Sequence, residues 1–175
     1  MSEVPAVSRT PDLTRVVAEA FSDGGALARV VEGYEPRESQ RRMAEAVALV
    51  FERGGTLLAE AGTGTGKTLA YLIPAILSRH RVLVSTGTKN LQEQIYFKDL
   101  PALQTALDTP FTATLMKGRS NYLCLHRWEL ARERPEGSER SVLLPIIDAW
   151  SKTTTTGDRA ELRELPALEL AKLWN

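Results

Sequence analysis

Apolar residues first recur at helical spacing just after a start signal: Leu13, Val16, Val17, Ala20 and Phe21 follow Thr10-Pro11-Asp12, and Gly24-Gly25 closes them. This predicts a short amphipathic helix. The segment Tyr34-Glu35-Pro36-Arg37 is held extended by its proline. Ser39 is then expected to cap a second helix with Met43, Val47, Val50 and Phe51 on one face, ended by Arg53-Gly54-Gly55.

Here the period changes. Thr56 to Glu60 is a short apolar run of strand length, and the glycine-rich stretch after it opens a helix from Lys67 to about Ser78. A second buried strand is predicted over Val82 to Ser85, followed by a helix from about Lys89 to Lys98 with Leu91 and Ile95 inward. Thr112 to Met116 reads as a third strand and Asn121 to about Arg132 as helix. Alternating strand and helix predicts an α/β protein with a parallel sheet and right-handed crossovers. From Pro135 the texture is helix and turn: Val142, Leu143, Ile146, Ile147 and Trp150 form a stripe, and Thr153 to Gly157 is a polar break. Leu162, Leu165, Leu168, Leu170, Leu173 and Trp174 then offer apolar side chains without a visible partner, and no terminating signal precedes Asn175.

Composition narrows the classes. With 43% hydrophobic and 25% charged residues over 175 positions, the chain has room for one domain, or for one domain plus the start of a second, and is not of disordered type. A net charge of zero names no partner, although a local basic groove can still hold phosphates. Acidic Glu3, Asp12 and Glu19 argue against a signal peptide. No run reaches the roughly 18 apolar residues of a membrane span, so a soluble, cytoplasmic protein is expected. The single cysteine, Cys124, cannot form an internal disulfide or hold a metal by itself. His80 and His126 are too far apart to suggest a metal pair.

The sharpest chemistry lies at Ala61-Gly62-Thr63-Gly64-Thr65-Gly66-Lys67-Thr68, which has Walker A spacing with alanine in place of the first glycine. Three glycines allow the tight turns that bring successive N–H groups onto phosphate oxygens, and the helix that follows adds the positive end of its dipole. Lys67 is expected to reach the β and γ phosphates and the Thr68 hydroxyl to ligate Mg²⁺. A flexible glycine turn would explain the composition, but the predicted strand before and helix after it favour a site for a nucleoside triphosphate such as ATP.

Several segments around this loop resemble the XPD-like branch of the superfamily 2 iron–sulfur DNA helicases, of the bacterial DinG/YoaA type, nearly end to end. Glu60 followed by Ala61 to Thr68 matches that family's Ala-x-x-Gly-x-Gly-Lys-Thr loop, so the alanine supports the likeness. Tyr34 to Arg37 with Gln40 and Met43 resembles its segment before the loop, which implies that Arg37 and Gln40 lie near adenine; an amide can pair with an adenine edge in both directions. Thr86-Gly87-Thr88-Lys89-Asn90-Leu91 with Gln94 resembles helicase motif Ia, implying that Thr86, Thr88 and Lys89 contact the backbone of single-stranded DNA, while a plain helix cap would also explain Thr88. Lys117-Gly118-Arg119-Ser120-Asn121-Tyr122-Leu123-Cys124 is similar to the segment bearing the first cluster ligand, which would make Cys124 one of four thiolates on a [4Fe–4S] cluster; a buried helical cysteine is the plainer alternative. Trp150-Ser151, Thr155, Thr156 and Gly157-Asp158 resemble the stretch that leads to the other three cysteines. Arg119, Arg127, Arg132 and Arg134 could line a nucleic-acid channel or simply form a solvated face.

The resemblance implies an incomplete first RecA-like ATP-binding domain over residues 34–120, a helical lead-in over 1–33 and the truncated start of an iron–sulfur domain over 121–175. It implies an ATP- and Mg²⁺-dependent helicase that acts on single-stranded or forked DNA, 5′ to 3′, as a monomer. Three cysteines, the Asp-Glu-x-His box and a second domain with its arginine are missing from this chain, so it is read as an amino-terminal piece that would not unwind DNA alone. A different small P-loop enzyme such as a kinase, or a non-catalytic nucleotide-binding module, are the competing readings; a kinase would need a lid with clustered arginines that the sequence does not show.

Overall fold

In a computed structural model the chain is described over residues 12–133 and 138–162, with the side chains of 138–143 left aside. It divides into two compact units, Met1–Leu115 and Met116–Asn175.

In the first unit, α1 (Leu13–Ala20) starts where the sequence predicts, because the Asp12 carboxylate accepts from the Thr14 N–H at 3.0 Å. Thr14 is also tied to the second helix, its hydroxyl donating to Glu52 Oε2 at 3.1 Å. Asp12→Ala is expected to cost about 1 kcal/mol, a fall of about 2–4 °C in a thermal melt. An unchanged melt would show that packing alone sets this helix start.

Helix α2 (Glu38–Arg53) begins one residue before the predicted Ser39 cap. Arg37 occupies the cap position in an extended conformation with no side-chain cap bond, because a guanidinium has no acceptor for a backbone N–H; it donates instead to Gly64 O. The buried face also differs from the expected one. Gln40, Ala44 and Ala48 are buried at four-residue spacing, while Met43 packs at the margin of the core. Small side chains on this stripe let α2 approach α3 (Lys67–Leu77), where Ala70, Leu72 and Ile73 are buried. Val17, Phe21 and Leu27 close the core from the α1 side. Gly54, at φ +76, ends α2 as predicted, its N–H donating to Val50 O at 2.8 Å.

The helix predicted over residues 89–98 runs further. α4 (Lys89–Gln94) passes into a π-helical turn, Ile95–Asp99, and then α5 (Leu100–Leu107). Pro101, in the first turn of α5, lacks an N–H and its ring crowds the carbonyl four residues earlier, so the preceding turn widens. Ile95 and Leu103 carry the buried side of this stretch.

The three predicted strands are the main departure. Among the described residues no strand is assigned, and residues 56–60, 82–85 and 112–116 run without a β-ladder. Leu58 is 93% and Leu83 94% exposed. A strand satisfies its N–H and C=O groups only against a neighbouring strand, and an apolar run gives no information on whether that neighbour is present.

In the second unit, α6 (Leu125–Glu133) starts later than the predicted Asn121. A 3₁₀ turn at Arg119–Asn121 is followed by extended Tyr122, which bridges Asp158 in antiparallel fashion, and Leu123 N–H donates to Gly157 O at 2.9 Å. That pairing demands an extended backbone and so delays the helix. On α7 (Ser138–Ser151) Ile147 is fully buried against Trp128, with Leu144, Trp150 and Leu162 around them, whereas Ile146 faces out. Of the predicted stripe, Ile147 and Trp150 pack inward, joined by Leu144, and Ile146 does not. Val142 and Leu143 have side chains outside the described residues, as do Thr10, Pro11, Arg134, Pro135 and the apolar residues from Leu165 onward.

Candidate nucleotide site

The glycine-rich loop ends on α3, with Gly66 at its N-cap in the left-handed region, φ +78 and ψ 25. Gly64 also has positive φ, +75. Residues with side chains rarely adopt this conformation, and at Gly66 a Cβ would also fall 2.0 Å from Gln40 Nε2. Both glycines are thus required by backbone geometry, and Gly66 by a neighbour as well.

Side chains grip the loop from several sides. Lys67 Nζ donates to Ala61 O at 2.6 Å and to Gly62 O at 2.5 Å. Thr65 Oγ1 donates to the same Gly62 O at 2.9 Å. Arg37 donates to Gly64 O at 2.6 Å, and buried Gln40 donates through Nε2 to Gly66 O at 3.0 Å. Sequence reasoning placed Arg37 and Gln40 beside a base; the structure brings both onto the loop backbone. The neighbouring arginines are occupied elsewhere, since Arg41 bridges Glu38 and Glu45 and Arg42 bridges Glu38. Hydrogen bonds from Arg41 and Arg42 hold the Glu38 carboxyl below the usual carboxylate range.

Thr68 lies in the first turn of α3, half-buried, one residue after Lys67. Such a loop offers N–H groups, an ammonium and a hydroxyl, a donor set suited to a phosphate chain with its Mg²⁺.

Thr88 caps α4, its hydroxyl accepting from Leu91 N–H at 3.3 Å, and Thr86 Oγ1 donates to Thr88 O at 3.1 Å. Thr88 and Lys89 are exposed. The cap that explains Thr88 without DNA is therefore present, and it orders the turn that carries Lys89.

Cys124 sits half-exposed just before α6, its carbonyl accepting from Trp128 N–H at 2.9 Å. Among the described residues no group of three or more His, Cys, Asp and Glu converges on a metal position. A [4Fe–4S] cluster takes four thiolates, and the sequence holds one cysteine, so this chain alone does not fit that group. The segment around Cys124 is nonetheless well anchored. Lys117, buried, forms an ion pair with Asp158 at 2.5 Å, and Lys117 N–H donates to Tyr122 OH at 2.7 Å. No sequence signal links Lys117 to Asp158. Around Asp158, Thr154, Thr156 and Glu161 are joined by hydrogen bonds, including one from Thr156 Oγ1 to Glu161. Arg132 is paired with Asp148 at 3.6 Å and lies over the Trp128 ring, so it is not a free member of a basic edge. His80 packs edge-on against Phe51.

A family profile described as DEAD/DEAH box helicase matches residues 37–120, the stretch that carries the loop. This stretch is thus similar to the DEAD/DEAH box helicases. The family gives this stretch a P-loop NTPase fold. Over 146 residues the chain is 44% identical to the ATP-dependent DNA helicase YoaA of Escherichia coli K12, covering 81% of this chain and 23% of that protein. It is 41% identical over 156 residues to the protein of the same name from Haemophilus influenzae, covering 88% and 24%. A third relative, named 3'-5' exonuclease DinG in Bacillus subtilis, is 41% identical over 142 residues, covering 78% of this chain and 15% of the relative. The chain thus spans about a quarter or less of the curated relatives it matches. Among the described residues no helix is long and apolar enough to cross a membrane.

Proposed function

We propose that this chain supplies the ATP-binding part of an ATP-dependent DNA helicase. The observation that carries the reading is the glycine loop at the N-terminus of α3, shaped by left-handed Gly64 and Gly66 and followed at once by Lys67 and Thr68. In this role Ala61 to Gly66 give their amides to the β and γ phosphates, Lys67 adds its ammonium, and Thr68 ligates Mg²⁺. Bound Mg²⁺ would neutralise charge on the phosphates.

Residues 56–60, 82–85 and 112–116 are proposed as parallel strands of a RecA-like sheet within the 34–120 region, completed by partners outside this chain. The exposed apolar side chains on these runs, Leu57 and Leu58, Val82 to Val84 and Met116, support this, since a group of such side chains marks a surface to be covered. Thr86, Thr88 and Lys89 are proposed to meet the phosphates of single-stranded or forked DNA, with half-buried Thr86 and exposed Thr88 and Lys89 at an ordered helix start. Residues 121–175 are proposed to begin an iron–sulfur domain in which Cys124 would be joined by three thiolates from elsewhere in the full protein. The relatives' names support a motor working on DNA, which is proposed to act as a monomer in the cytoplasm, and the family resemblance supports 5′ to 3′ movement.

The whole gene product is expected to hydrolyse ATP slowly alone and at least tenfold faster with single-stranded DNA. A rate indifferent to DNA would remove the helicase reading and leave a nucleotide-binding enzyme of another kind.

A further inference from the structure

Where α4 passes into α5, the chain takes in one residue more than an α-helix has room for. Ile95 and Leu103 are both buried, although their separation in sequence amounts to about 2.2 turns of a regular helix. The π-helical turn Ile95–Asp99 absorbs the extra residue and returns Leu103 to the side of Ile95. The Gln94 amide spans that turn, donating to Asp99 Oδ2 at 3.4 Å. Phe97 stands out from the same turn, 67% exposed, its ring edge-on to Tyr96 with centroids 5.0 Å apart. Between residues 89 and 107 no other large hydrophobic side chain is exposed. The exposed residues around it are polar or cationic: Lys89, Asn90 and Gln94 precede it at helical spacing and Lys98 follows it, while the acidic neighbours Glu93 and Asp99 are half-buried.

A protein surface that covers another buries a group of apolar side chains, and a single ring between two cations does not offer one. A nucleotide does match it, having an apolar base face and an anionic phosphate on one unit. We propose that Phe97 is a stacking platform for a base of single-stranded DNA whose phosphates run past Lys89 and Lys98. This rests on the proposed DNA role of Thr86, Thr88 and Lys89. From Lys89 to Phe97 the helix rises about 12 Å, so a short length of one strand meets both. The edge of Tyr96 restrains the Phe97 ring before a base arrives, which lowers the cost of ordering it. Every base has a π face, so the platform holds the strand without reading its sequence.

The test is fluorescence anisotropy of the whole gene product with two labelled strands of equal length, an oligo-dT and an abasic strand of the same sugar–phosphate backbone. Phe97→Ala should weaken oligo-dT by about tenfold, the size of one lost base stack, and leave the abasic strand, the salt dependence and the thermal melt unchanged. Phe97→Trp should bind as the wild type does, and Phe97→Leu, apolar but without a ring face, as poorly as Phe97→Ala. Lys98→Ala should weaken both strands and reduce the slope of log affinity against log salt by about 0.7. Undiminished oligo-dT affinity in Phe97→Ala would overturn the proposal, as would an unchanged slope in Lys98→Ala. Full affinity in Phe97→Leu, or an equal loss on both strands in Phe97→Ala, would overturn it too, since the ring would then be covered by protein and not by a base. A wild-type protein that binds neither strand would instead bring down the DNA reading itself.

Discussion

Lys67→Ala lowers ATP affinity by about 30-fold or more, with the fold intact. Removing a charge-assisted partner of a phosphate costs about 2–5 kcal/mol, and about 1.4 kcal/mol corresponds to each factor of ten. The side chain also spans Ala61 O and Gly62 O, so its loss frees Ala61 O and leaves Gly62 O to the Thr65 hydroxyl, as well as deleting the ammonium. Lys67 is only half-buried and alanine is a good helix former, so the melting temperature should hold to within about 2 °C. Calorimetry with ATP and Mg²⁺ decides the matter: undiminished affinity in a folded Lys67→Ala chain would mean that the loop is not the phosphate site.

The second large effect falls on stability. Lys117→Ala should destabilise the unit Met116–Asn175 by about 3–5 kcal/mol, because it strands Asp158 in a poorly hydrated place. The two side chains are 3% and 13% exposed and 2.5 Å apart. Replacing both partners with apolar residues, Lys117→Met together with Asp158→Leu, should be much milder, since no unpaired charge remains. Hydrogen exchange separates the units. The Leu123 amide, bonded to Gly157 O, should exchange far faster in Lys117→Ala, while the Ala70 amide, bonded to Gly66 O in the first unit, should not change. A double variant as damaged as the single one would show that the pair matters for its shape and not for its charge.

Local chemistry was the part of this molecule legible in the sequence. Asp12 as a cap, Gly54 as a stop and the loop leading into Lys67 each depend on residues a few positions apart. The start of α2 was misjudged because its first residues carry no capping bond at all; Arg37 is held by a carbonyl far along the chain. For the same reason α6 was begun too early, since only Gly157 and Asp158 keep Tyr122 and Leu123 extended. Helix α5 lies past the predicted end at Lys98, with Pro101 in its first turn after a π-helical step, where a missing N–H costs little. The strands show the limit most clearly. Apolar runs at 56–60 and 82–85 mark extended chain, but pairing is a property of two segments and one run cannot supply it. In the candidate site, sequence spacing located the loop, while the grip of Arg37 and Gln40 on its carbonyls had no linear signature.

Gly62 O has two donors, and only one of them is needed elsewhere. If the Lys67 ammonium transfers to a phosphate, the Thr65 hydroxyl still pins that carbonyl, together with Arg37 on Gly64 O and Gln40 on Gly66 O. The turn then keeps its shape while its lysine changes partners, so little of the binding energy is spent on rebuilding the cradle.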